Sequence, residues 1–169
     1  AWEEEPPATA SHQVRKAVAD LRRRIPGGSQ VVLTDGPGYR VTVLEDQLDL
    51  TEFTAQVRQA RAAAEQADPA RAAEALRTAL ELWRGPVLSD VAGPVIAAAA
   101  AALDERRLAA AEQLFELCLS LGQAADLVAD LRDLTARYPL RENLRRQLML
   151  ALYRSSRQAE ALEEYGRVR

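Results

Sequence analysis

The chain has 169 residues, 48% of them hydrophobic but only 5% aromatic, and a formal net charge of −3. That length holds one ordinary domain, or one plus a fragment, and the charge excludes a global polycation, so any nucleic-acid binding must rest on a local patch. Cys118 is the only cysteine, which rules out an intramolecular disulfide and points to a reducing compartment.

The remaining bulk signals agree. Lys16 is the only lysine among 22 basic residues, and much of the apolar content is alanine, which favours helices joined through small-residue interfaces. The start, Ala1-Trp2-Glu3-Glu4-Glu5, is acidic where a secretory leader is basic. The longest apolar run, Val95 to Leu103, is too short and too alanine-rich to span a bilayer. The expectation is a cytoplasmic protein with no membrane partner.

In chain order, Ala1 to Ala10 reads as a solvated loop stiffened by Pro6-Pro7, with Thr9 or Ser11 as an N-cap. Val14, Val18, Leu21 and Ile25 then recur at i, i+4, i+7 and i+11, which predicts one buried helical stripe. Arg15, Lys16, Arg22, Arg23 and Arg24 project from it, and Pro26-Gly27-Gly28 ends the helix. Val31-Val32-Leu33 reads as a strand, Asp35-Gly36-Pro37-Gly38 as a tight turn and Tyr39 to Val43 as the returning strand. A basic helix followed by a hairpin is how a winged helix sits on DNA, with the helix in the major groove and the hairpin at the neighbouring backbone. The competing reading is a solvated basic helix end that complements the macrodipole, next to an ordinary hairpin. Leu44-Glu45-Asp46-Gln47 is a polar connector, which places a boundary between a partial winged helix at 1–44 and a helical domain at 45–169.

From Asp49 onward the pattern is helical. Asp49 or Thr51 caps a helix carrying Phe53, Val57, Ala60 and Ala64 on one face. Asp68-Pro69 starts the next, which carries Ala72, Leu76, Ala79, Leu80 and Trp83 up to Gly85-Pro86. Pro94 opens a long helix that stops at Gly122, and its alanines 97–102 are expected to pack closely on a neighbour. Leu127, Leu131 and Leu134 mark a fourth helix, Leu144, Leu148, Ala151 and Leu152 a fifth, and Ala159 to Val168 a sixth. Ala73-Glu74-Ala75-Leu76 recurs as Ala159-Glu160-Ala161-Leu162, and Ala161 with Tyr165 has the small-then-aromatic spacing of a tetratricopeptide second helix. Stacked hairpins of this kind build a surface for a partner. The fold class predicted is therefore mainly α: the C-terminal part of a winged helix, one helix plus a β-hairpin, followed by a tetratricopeptide-like antiparallel helical domain.

Enzymatic chemistry finds little support. His12 and Cys118 are single residues of their kind with no second metal-type ligand at useful spacing, and Cys118 between Leu117 and Leu119 reads as a core thiol. Gly36-Pro37-Gly38 precedes a strand and so is no phosphate loop, and Asp104-Glu105-Arg106-Arg107 reads as a solvated face. No catalytic residue, metal site or cofactor is expected.

Several segments then carry a resemblance. Leu21-Arg22-Arg23 followed by Thr34-Asp35-Gly36-Pro37-Gly38-Tyr39-Arg40-Val41 resembles the end of a response-regulator-type winged helix. Asp46 to Leu50, Leu82-Trp83-Arg84-Gly85-Pro86, Tyr138 to Glu142, Gln147 to Tyr153 and Arg157 to Leu162 resemble the bacterial transcriptional activation domain. Together they look like the Streptomyces antibiotic regulatory protein (SARP) family, over almost the whole chain. The resemblance implies a transcriptional activator of an antibiotic or other secondary-metabolite gene cluster, binding direct repeats in double-stranded promoter DNA as a homodimer and recruiting RNA polymerase. By motif position it places His12, Gln13, Arg15, Lys16, Arg23 and Arg24 on the recognition helix and Arg40 on the wing. Arginine contacts to phosphate would then set position while His12, Gln13 or Lys16 read base edges. Asp20 stands where the family commonly has arginine, and a carboxylate there repels phosphate. Family members also carry further residues before and after the stretch seen here, so the expectation is a fragment of a longer regulator. The alternative is a stand-alone tetratricopeptide-like adaptor that has lost DNA binding.

Overall fold

The computed structural model describes residues 7–44, 48–88 and 93–167. Its elements run α1 (Ala10–Arg24), a single helical turn α2 (Gly28–Val31), strands β1 (Val32–Asp35) and β2 (Gly38–Val41), then α3 (Asp49–Glu65), α4 (Pro69–Glu81), α5 (Pro94–Ser120), α6 (Ala124–Arg137), α7 (Glu142–Arg154) and α8 (Gln158–Gly166). The fold is the predicted one: a helix with a hairpin, followed by an antiparallel helical array in which α3 packs on α4, α4 on α5, α6 on α7 and α7 on α8.

Helix ends follow local chemistry. Asp68 accepts a hydrogen bond from the Arg71 N–H at 3.0 Å, and Pro69 occupies the first turn, where its missing donor costs nothing. Pro94 opens α5 in the same way, and Gly122, at φ 79°, turns the chain out of it in the left-handed region. Tyr138-Pro139 ends α6. Asp49 is not a cap. It lies inside α3, where its carboxylate accepts from Arg84 Nη2 at 2.8 Å. Trp83 is likewise not on the face of α4, which ends at Glu81. It sits just beyond, meeting the Phe53 ring edge-on at 5.2 Å.

The main buried cluster lies in this array. Leu76, Leu119, Leu131, Leu144, Leu148 and Leu152 are fully buried, and Ala72, Ala73, Ala79 and Ala151 expose nothing, so small residues let neighbouring backbones come close. Polar groups bridge α5 to α7 around the core: Arg141 pairs with Glu105 at 2.5 Å and Glu112 at 2.9 Å, Arg146 with Glu116 at 2.5 Å, and buried Gln147 donates to the Glu112 carbonyl at 2.8 Å. Cys118 is the core thiol expected. Burial pushes its pKa up, and Arg77 Nη2 donates to its sulfur at 3.3 Å.

Two expectations fail here. Alanines 97–102 are mostly exposed, because burial on α5 begins only at Leu108; alanine has the highest helix propensity, so this run stays helical without being buried. Tyr165 is also exposed, so of the small-aromatic pair only Ala161 packs against the core. Among the described residues, no helix is long and apolar enough to cross a membrane.

Candidate nucleic-acid interface

The remaining unit is built from α1 and the hairpin. α1 ends before Pro26 with Ile25 extended, its N–H still bonded to the Leu21 carbonyl. Gly27 then adopts φ 67°, and Gly28 is pressed so tightly on the helix end that a Cβ there would lie 2.4 Å from the Arg22 carbonyl oxygen. Only glycine fits that approach. The turn it opens, α2, takes up Val31, so the first strand begins one residue later than predicted, at buried Val32, and runs on to Asp35. The strands pair antiparallel with Val32 opposite Val41 and Thr34 opposite Tyr39 around the turn at Gly36, φ 55°. The return ends at Val41, not Val43, although the Thr42 N–H still reaches the Val31 carbonyl at 2.7 Å.

The apolar stripe of α1 is less covered than its spacing predicts. Val18 is buried, Ile25 half-buried, and Val14 and Leu21 are 39% and 48% exposed. Among the described residues, the buried cluster of the array draws none from α1 or the hairpin.

All seven residues singled out from the sequence are exposed. At 100° per residue, His12, Lys16 and Arg23 line one face of α1, Gln13 and Arg24 flank it on one side, and Arg15 on the other. Arg15 also borders an open cleft of about 500 Å³ between the helix and the turn, with Ser11, Val14, Thr34, Pro37 and Tyr39. Arg40 lies on β2, at the same side chain register as Leu33. Gln13 donates to Thr9 Oγ1 at 3.2 Å and Arg15 to the Ser11 carbonyl at 3.2 Å, contacts that hold both side chains along the helix. Arg23 pairs with Asp20 one turn earlier, and Arg40 lies 3.5 Å from Asp35. Those acids belong to the same unit; among the described residues, no acid of the array pairs with these cations. Among the described residues Lys16 and Arg24 have no ion-pair or hydrogen-bond partner.

Arg22 is the residue whose place the sequence did not reveal. Counted there with Arg23 and Arg24 as one projecting cluster, it instead folds back onto the hairpin, donating to the Val32 carbonyl at 2.8 Å and to Thr34 Oγ1 at 3.0 Å. Its guanidinium carbon stands 5.8 Å from the centre of the Tyr39 ring. Only the strand register, which sets Thr34 beside Tyr39, makes that contact legible.

A basic helix with a wing, joined to a tetratricopeptide-like array, defines a class of transcriptional regulator. Residues 48–169 match the bacterial transcriptional activator domain, and the chain belongs to that family; the SARP resemblance read from its motifs holds. It is 42% identical over 169 residues to the regulatory protein AfsR of Streptomyces coelicolor, across 99% of this chain and 17% of that protein. It is 36% identical over 178 residues to the regulatory protein DnrI of Streptomyces peucetius, across 99% of this chain and 65% of that one. The solved structure of Mycobacterium tuberculosis EmbR, in complex with a low-affinity phosphopeptide, superposes with a TM-score of 0.88 at 34% identity, over 99% of this chain and 45% of EmbR. The chain thus spans only part of each of these relatives.

Proposed function

We propose that this chain is the DNA-contacting and activating part of a transcriptional activator of a secondary-metabolite gene cluster. In this reading 1–44 is the partial winged unit that docks on double-stranded promoter repeats. The helical unit 45–169 carries homodimer contacts and the surface offered to RNA polymerase. The observation that supports it is the outward set on α1 and β2: His12, Gln13, Arg15, Lys16, Arg23, Arg24 and Arg40 are all solvent-facing, and among the described residues none pairs with an acid of the array. Arg15, Arg24 and Arg40 are assigned to phosphates, and so is Arg23, discounted by its pairing with Asp20. His12, Gln13 and Lys16 are assigned to base edges.

The test is a mobility-shift titration against promoter DNA across a salt series. Binding through phosphates makes log K fall linearly with log salt, by about 0.9 per contact in B-DNA. A binding constant that does not move with salt, or no binding at all, favours the adaptor instead. That second reading takes its support from a groove of about 460 Å³ between α4, α5 and α6, where Arg77, Arg107 and Arg137 alternate with Asp104, Asp130 and Asp133. A mixed-charge groove suits a peptide better than a polyanion.

A further inference from the structure

We infer that Arg22 is a positioning residue that sets the angle of the wing against the recognition helix, and not a phosphate contact. The inference rests on the DNA-binding reading above and sharpens it. Packing passes from α1 to the α2 turn and from there to β1, and the apolar stripe that would otherwise join helix and wing is half open at Val14 and Leu21. The side chain of Arg22 closes that gap directly. Its Nε donates to the Val32 carbonyl, where the strand begins, and its Nη2 to Thr34 Oγ1, two residues on. Its planar face meets Tyr39, the residue paired with Thr34 and the one before Arg40.

One guanidinium therefore contacts both strands of the wing. Gly28, jammed against the Arg22 carbonyl, fixes the backbone from which it reaches. Lysine cannot reproduce this, because the contact uses two donors in a fixed fork and a flat face, where lysine offers a point charge. In the run Arg22-Arg23-Arg24 the three residues thus divide: the first holds the wing, the second is paired to Asp20, and the third is free for a phosphate.

The experiment compares the full chain with Arg22→Lys, Arg40→Ala and the double variant, binding a mixed-sequence promoter-length duplex across a salt series. Amide hydrogen exchange of the hairpin is read alongside, without DNA. If Arg22 positions the wing, Arg22→Lys loses roughly tenfold in affinity despite its kept charge. The double variant then binds no more weakly than Arg22→Lys alone, because the wing contact is already lost. The hairpin amides also exchange faster. Thr34→Val, which removes one acceptor only, moves exchange and affinity the same way by a smaller factor. If Arg22→Lys binds as the parent does, or its effect adds to that of Arg40→Ala, Arg22 is an ordinary cation on the surface and the inference fails. If the parent shows no salt-dependent binding, the DNA reading fails, and the exchange of the hairpin amides still decides whether Arg22 holds the wing.

Discussion

The two halves of the molecule are held together in different ways. In the helical array, leucines from every helix pair sit at or near zero exposure and arginine–carboxylate bridges link α5 to α7 over the top of them. In the α1–hairpin unit, Ala10, Val18 and Val32 are the buried apolar side chains, and polar side-chain contacts do much of the joining. The array is stable by what it hides. The winged unit keeps its charges, and part of its apolar surface, available to something else.

That contrast breaks most readily by truncating each side. Leu131→Ala or Leu144→Ala, each at 0% exposure, should cost about 2–5 kcal/mol in urea unfolding, whereas Leu21→Ala, 48% exposed, should stay within about 0.5 kcal/mol. A large loss at Leu21 in the isolated chain would show that its stripe is covered after all. A smaller effect comes from the start of α4: Asp68→Ala leaves the Arg71 N–H without its acceptor and should cost about 1 kcal/mol, seen as a lower melting temperature.

Much of the array is legible in the sequence. Asp68-Pro69, Pro94, Gly122 and Tyr138-Pro139 are local signals, read from chemistry within a turn of where they act, and each marks a real boundary. What failed were statements about neighbours. Periodicity says which side of α1 is apolar but not what covers it, so Val14 and Leu21 were expected inside. The same gap explains alanines 97–102, whose composition suits a tight interface and an unsupported helix equally well. For the interface, exposure of the basic residues could be read from spacing, but the departure of Arg22 from its cluster depended on a strand register ten and twelve residues away.

Acid sharpens the comparison further. Arg157 and then Arg132 hydrogen-bond the Glu160 carboxylate and hold its pKa at about 2, below its ordinary 4.5. A depressed folded-state pKa adds stability that is present above the unfolded value and is lost as pH falls through the window from about 4.5 to about 2. The junction of α6 and α8 should therefore loosen in that window, and Glu160→Gln should flatten this part of the melting-temperature profile while leaving neutral-pH DNA binding unchanged. The smallest effect expected is at Asp20. In the proposed docking, Asp20→Asn releases Arg23 and removes a carboxylate from the face assigned to the duplex, so DNA affinity should rise by about twofold to fivefold, the scale of an exposed ion pair. A fall in affinity would mean that Asp20 orients Arg23 for its contact.

The alanine seam between α3 and α4 has one more implication. Ala60 and Ala63 on α3 and Ala72, Ala73 and Ala79 on α4 lie at between 0% and 3% exposure where the two helices pack on each other, which suits close approach of the backbones. Leucine sites elsewhere tolerate exchange with isoleucine or methionine of like volume, but here any enlargement pushes the two backbones apart at about 1–3 kcal/mol. This joint is a steric gauge. A single bulky residue there is expected to splay the hairpin that carries Phe53.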